Sequence, residues 1–146
     1  MKPLHCLIIA GIVILILVLL YCIPSCRAEV IPPANLWKGI IGEAFGEGYS
    51  GMYAVACVYK NRLERGMPLG CVALKRKDLD KFVKEQGGAY EVLAKKIIHE
   101  VFTIYTHDVT NGATHYEAVR RYGWPSWSNN MIITCKIGEH YFFKER

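Results

Sequence analysis

Glu43 lies in the run Ile40-Ile41-Gly42-Glu43-Ala44-Phe45-Gly46-Glu47-Gly48, a carboxylate set among apolar side chains. Such surroundings strip water from the group and favour its protonated form. An acid that holds its proton near neutral pH can protonate a glycosidic oxygen as the bond breaks. A glutamate that merely faces water at a helix end would give the same local pattern. Glu47 follows four residues later, and on a continuous helix the two would share a face. Carboxylates about 5–9 Å apart would make a two-acid glycosidase site. The glycines at 46 and 48 argue against a continuous helix, which leaves Glu47 as a loop or capping carboxylate. A second group follows in Thr110-Asn111-Gly112-Ala113-Thr114-His115-Tyr116-Glu117. Asn111-Gly112 signals a turn. If the segment beyond it is extended, His115 and Tyr116 point to opposite faces, one free to line a cleft while the other packs. Trp124 and Trp127 flank Pro125. Their rings can stack on sugar C–H faces or close an aromatic core.

These residues need elements to position them. Asn35 is placed to cap a first helix, along which Leu36, Ile40, Glu43 and Glu47 recur at helical spacing. Ser50 can cap a second helix with the stripe Met52, Val55, Tyr59 and Leu63, ended by Gly66 and Pro68. Residues 67–87 are polar and lysine-rich with little periodicity. A helix over about 88–106 carries Tyr90, Leu93, Ile97, Val101 and Ile104 on one face. Beyond it, short strands are expected around Thr114 and Tyr116, at Met131 to Thr134 and at His140 to Phe143, with a hairpin turn at Gly138-Glu139. The class is α+β, helix-rich first and with a small hairpin or sheet late.

The chain has 146 residues and is 52% hydrophobic, with a mean hydropathy of +0.16. The apolar excess is concentrated in Leu4 to Ile23, 20 residues without formal charge apart from the titratable His5. A positive start, an apolar run and the small-residue exit Ser25-Cys26-Arg27-Ala28 describe an export signal, and the run is also of membrane-span length. Residues 1–28 are therefore expected to be a signal peptide or membrane anchor, with a lipoprotein-like site at Cys26 as a third possibility. Residues 29–35 are a linker and 36–146 one domain, which is expected to lie outside the cytoplasm. Net charge is +5, of which Lys2 and Arg27 supply two, so the remainder carries +3. That is not the footprint of a nucleic-acid binder, and it suits an acidic polymer. Cys57, Cys71 and Cys135 fall in the domain without metal-ligand spacing, and Cys57 sits in an apolar helical pattern. Cys71 with Cys135 is the preferred disulfide. The sequence has no GxSxG, P-loop, GxGxxG or HExxH motif, and no metal or cofactor is expected.

Read together, the segment from Gly42 to Arg62, GEAFGEGYSGMYAVACVYKNR, resembles the opening signature of spore-cortex-lytic-type cell-wall hydrolases. The resemblance continues in Gly66-Met67-Pro68, in Gly112-Ala113-Thr114-His115-Tyr116 and in Ile137-Gly138-Glu139-His140-Tyr141-Phe142, covering about residues 36–143. It implies a lysozyme-like fold, similar to that of lytic transglycosylases. The implied substrate is the peptidoglycan glycan strand, cut at the β-1,4 bond between N-acetylmuramic acid and N-acetylglucosamine. The first acid of the signature, Glu43, is the implied catalytic residue. Glu47, His115, Tyr116 and Trp127 are the candidates for binding and orienting the sugars. Two departures stand out: Lys81-Phe82-Val83 replaces a Gln-Phe-Ser motif, and Glu117 follows Tyr116 where His or Asn is common in the family. The expected activity is that of a monomeric lytic transglycosylase leaving a 1,6-anhydro end. The alternatives are a muramidase-type hydrolase, or a non-catalytic wall-binding protein that retains the fold.

Overall fold

The computed structural model describes residues 12–14, 29–103 and 107–146. The expected leader, 1–28, lies outside the described residues apart from 12–14. Among the described residues no helix is long and apolar enough to cross a membrane. The first helix, α1, is Leu36–Ala44, with Leu36, Ile40, Ile41 and Ala44 buried. Asn35 stands at its N-cap, yet its side chain makes no capping bond. The backbone carbonyls of Pro33 and Asn35 take the first helical N–H groups instead, at 3.0 Å from Leu36 and Lys38 respectively. After Ala44 the chain tightens into a 3-10 turn, Phe45–Glu47, and Gly48 at φ +63° redirects it. The glycine pair therefore does interrupt the helix between the two carboxylates.

Helix α2, Gly48–Glu64, begins before Ser50, so Ser50 lies inside the helix and Glu47 takes the N-cap position. Its burial is wider than a single stripe. Met52, Val55, Ala56 and Tyr59 join the main helical core, while Ala54 and Val58 join a second core with Ala113 and Phe142. A helix apolar on several faces is one surrounded by other elements. Residues 67–87 hold more structure than their composition suggests: a 3-10 turn at Ala73–Lys75 and helix α3, Leu79–Gln86. Only Leu79 and Val83 of α3 are buried, which is too sparse a pattern to read as periodic. Helix α4, Gly88–Thr103, buries Ala94, Ile97, Val101 and Phe102. The last residues expected in this helix, 104–106, lie outside the described residues.

The late sheet has three antiparallel strands in the order β1-β3-β2: β1 His115–Glu117, β2 Met131–Ile137 and β3 His140–Glu145. Strands β2 and β3 form a hairpin across Gly138-Glu139, and β1 pairs Tyr116 with Phe142. A short helix, α5 at Val119–Tyr122, and a 3-10 turn at Ser126–Asn130 connect β1 to β2. The architecture is the expected α+β arrangement, with helices first and the small sheet last. The expected Cys71–Cys135 disulfide is absent: Cys57, Cys71 and Cys135 are free thiols. Cys71 points at Glu43, while Cys135 donates to the carbonyl of Val109 on the sheet side.

Candidate active site

Glu43 lies in the last turn of α1, on a helix face shaped by two glycines. A Cβ on Gly39 would lie 2.7 Å from Cys71 Sγ, and one on Gly42 would lie 2.6 Å from Ala73 Cβ. With neither present, segment 71–75 lies directly against the helix. The Ala73 N–H then donates to Glu43 Oε1 at 2.7 Å, and the Cys71 thiol faces the same oxygen at 3.9 Å. Burial pushes the Cys71 thiol up, so it stays a protonated donor. One carboxylate oxygen of the half-buried Glu43 is thereby fixed by the protein.

Tyr116 closes the site from the sheet. Its hydroxyl meets that of Tyr59 at 2.6 Å, and its ring stands edge-on to His140 at 5.2 Å. Burial, then the negative charge of Glu43, raises the Tyr116 phenol well above its ordinary value. Burial likewise raises Tyr59. Both phenols therefore remain donors at any physiological pH. His115 lies 5.3 Å from the Trp127 ring, away from the Tyr59 hydroxyl that Tyr116 meets, yet both line the cleft, so the expectation that one would line it while the other packs is not met. Burial and the nearby Arg62 guanidinium lower His115, which keeps the imidazole neutral.

The approach to β1 is tied down by polar contacts. Arg62 donates to the carbonyls of Pro68 at 2.7 Å and Thr114 at 2.8 Å. Asp108 accepts from the N–H groups of Thr110 and Gly112, from the Thr110 hydroxyl and from Asn61, at 2.6–2.9 Å. Asn111 at φ 54° and Gly112 at φ 80° make the expected turn inside this loop. Glu47 turns away from Glu43's partners and meets His140, Oε1 to Nδ1, at 2.5 Å.

All five sequence-derived candidates, Glu43, Glu47, His115, Tyr116 and Trp127, line one cleft of about 970 Å³ between the helices and the sheet. Phe82, which occupies the departed Gln-Phe-Ser position, also lines it and packs edge-on to Phe45 at 6.1 Å. Glu117 reaches the cleft too, its Oε1 accepting the Ala118 N–H at 3.0 Å. Trp124 does not line the cleft; it packs against Tyr141 and Phe143. Ala73, Asp108 and His140 were not singled out as site residues from the sequence, and Cys71 was read there only as a disulfide partner. For Asp108 a signal existed, since Asp with Thr two residues on and Gly four residues on is the spacing of an Asx turn. The Ala73 N–H had none, because backbone donors carry no sequence mark.

Neither a curated protein nor a solved structure matches the chain. The sequence pattern of the family described as Cell Wall Hydrolase matches residues 46–143, about two-thirds of the chain. The matched stretch takes in Glu47, His115, Tyr116 and Trp127, and it begins three residues after Glu43. A helical half and a small sheet facing each other across a carboxylate-lined cleft, with this match spanning both, mean that the chain belongs to the cell wall hydrolase family, whose members act on peptidoglycan.

Proposed function

We propose that this protein cleaves the β-1,4 bond between N-acetylmuramic acid and N-acetylglucosamine with Glu43 as the single acid and base, acting outside the cytoplasm as a lytic transglycosylase. The observation that carries the reading is the state of the cleft's carboxylates. Glu47 is engaged by His140, Glu117 by the Ala118 N–H, and Glu139 faces Arg120 at 3.8 Å. Glu43 differs from these in being fixed by a backbone N–H from another segment, Ala73 at 2.7 Å, with the buried Tyr116 phenol beside it on the cleft side.

Glu43 protonates the leaving oxygen as positive charge develops on the muramic acid ring. The resulting carboxylate then takes the proton of the muramic acid 6-hydroxyl. That oxygen bonds to the anomeric carbon, closing the 1,6-anhydro ring and returning the proton to Glu43. Tyr116 and Trp127 border the bound sugars, Trp127 offering a ring face and His115 supporting it from behind. Glu47 contributes to orientation rather than to proton transfer.

The test is a digest of purified peptidoglycan with the 146-residue chain and with Glu43→Gln, the products read by mass spectrometry. Glu43→Gln removes the proton donor at almost constant volume, so activity falls by about 10²–10⁴-fold while the fold persists. Anhydro-muropeptides from the parent chain alone support the proposal. Reducing-end products, heavier by one water, would replace transglycosylation with muramidase hydrolysis. Products from both proteins would remove Glu43 from the mechanism. Products from neither would favour a wall-binding protein.

A further inference from the structure

We propose that Glu47 and His140 form a buried strut that positions the catalytic cleft, so that Glu47 acts on the reaction through the sheet and not as a second acid or a sugar ligand. This rests on the reading of Glu43 as the catalytic group. The two side chains are only 11% and 8% exposed, and Glu47 Oε1 lies 2.5 Å from His140 Nδ1. Neither His140 Nδ1 nor the other carboxylate oxygen, Oε2, makes a hydrogen bond of good geometry among the described residues, so close contact and packing join the two side chains.

Two glycines make room for this carboxylate. A Cβ on Gly51 would collide with the Glu47 side chain, and a Cβ on Gly138 would collide with Glu47 Oε2. One carboxylate therefore packs against three separate parts of the chain. It belongs to the 3-10 turn that directly follows the Glu43 helix, it lies over the first turn of α2 at Gly51, and it touches the hairpin turn at Gly138. His140, the first residue of β3, completes the joint. The imidazole carries the connection onward. Tyr116 stands edge-on to its ring, and the Tyr116 hydroxyl is held by Tyr59 on α2. Tyr116 is also close enough to Glu43 for that charge to shift its phenol. A chain of contacts thus runs from Glu47 through His140 and Tyr116 back to Glu43.

A strut predicts behaviour that the other roles do not. Glutamine at 47 keeps an oxygen that can accept from His140, whereas alanine leaves a buried imidazole facing a void. The measurement is the kcat and KM of the 146-residue chain and its variants on soluble glycan oligomers, with circular dichroism and melting curves to show that each variant is folded. Glu47→Gln is expected to retain activity within about tenfold of the parent, with Glu47→Ala losing about 100-fold or more in kcat at little change in KM. The double variant Glu47→Ala/His140→Ala is expected to be no worse than either single one, because both remove the same joint. Glu47→Gln as inactive as Glu43→Gln would make Glu47 a second catalytic carboxylate and overturn the strut. A raised KM at unchanged kcat in Glu47→Ala would make it a sugar ligand and overturn it equally, and so would losses that multiply in the double variant. If Glu47→Ala does not fold, Glu47→Gln decides by the same comparison. An active Glu43→Gln would overturn the catalytic assignment instead, which keeps the two failures apart.

Discussion

At the scale of single residues, the proposed chemistry depends on which donors reach Glu43. Tyr116 is the most informative neighbour, because it touches both the acid's surroundings and the Tyr59 hydroxyl. Tyr116→Phe keeps the ring against His140 and Phe142 and removes only the hydroxyl. It is expected to lower turnover about tenfold, roughly the loss of one modest hydrogen bond. The Tyr59 hydroxyl left unpaired should cost about 1–3 kcal/mol of stability. Steady-state kinetics and urea denaturation of the one variant measure both. How much of this was legible varied by residue. Strand alternation set His115 apart from Tyr116 but did not show that both line the cleft. Glu43 did not stand out by periodicity, and only the long signature around it marked the position. Pairing Cys71 with Cys135 went wrong because spacing and an exported setting say nothing about direction. One thiol points at the acid and the other at a backbone carbonyl.

At the scale of elements, the site is held by a loop whose geometry depends on charge. Burial raises the Asp108 carboxyl, but hydrogen bonds from Thr110, Asn61 and Gly112 outweigh it, and the group is held below the usual carboxylate range. A carboxylate lowered in the fold stabilises it above the unfolded value of about 4. That contribution falls away as pH drops through the folded value. Chemical denaturation between about pH 2 and pH 6 is therefore expected to show stability falling on the acid side. Asp108→Asn should flatten that dependence, and Asp108→Ala should cost about 2–3 kcal/mol at neutral pH. An acid profile identical in Asp108→Asn and parent would remove this loop from the explanation. The elements themselves were unevenly readable. Helices α1 and α4 and the hairpin turn at Gly138-Glu139 carry strong local signals. Helix α3 does not, since it buries only two side chains. The start of α2 was misplaced at Ser50 because a serine that can cap competes with a glycine that can turn, and Gly48 at φ +63° makes the turn.

At the scale of the whole molecule, α2 belongs to both cores. Val55 and Tyr59 serve the helical side, and Ala54 and Val58 serve the sheet side. Tyr116 packs against both clusters. The two walls of the cleft therefore share a helix and cannot lose their packing separately. Calorimetry is expected to give one transition whose calorimetric and van't Hoff enthalpies agree. Val58→Ala should lower the stability of that single transition by about 2 kcal/mol without splitting it. Two resolved transitions would show that the walls unfold independently. The α+β class and the order of its parts were legible because helical and alternating patterns occupy different thirds of the chain. The sharing of α2 was not, because a helix buried on several faces shows no clean stripe.

The close contact at Gly42 bears on how such a protein could change its trade over evolutionary time. Ala73 reaches Glu43 only because no methyl group stands between α1 and the segment beside it. A single glycine-to-alanine change there would push that segment away and free the fixed oxygen, with the glutamate still in place. Descendants of this chain could thus become silent glycan-binding proteins while every acidic residue in the cleft remained. In a lineage of such sequences, the small residues at 39 and 42 would then report retained activity more faithfully than the glutamate they serve.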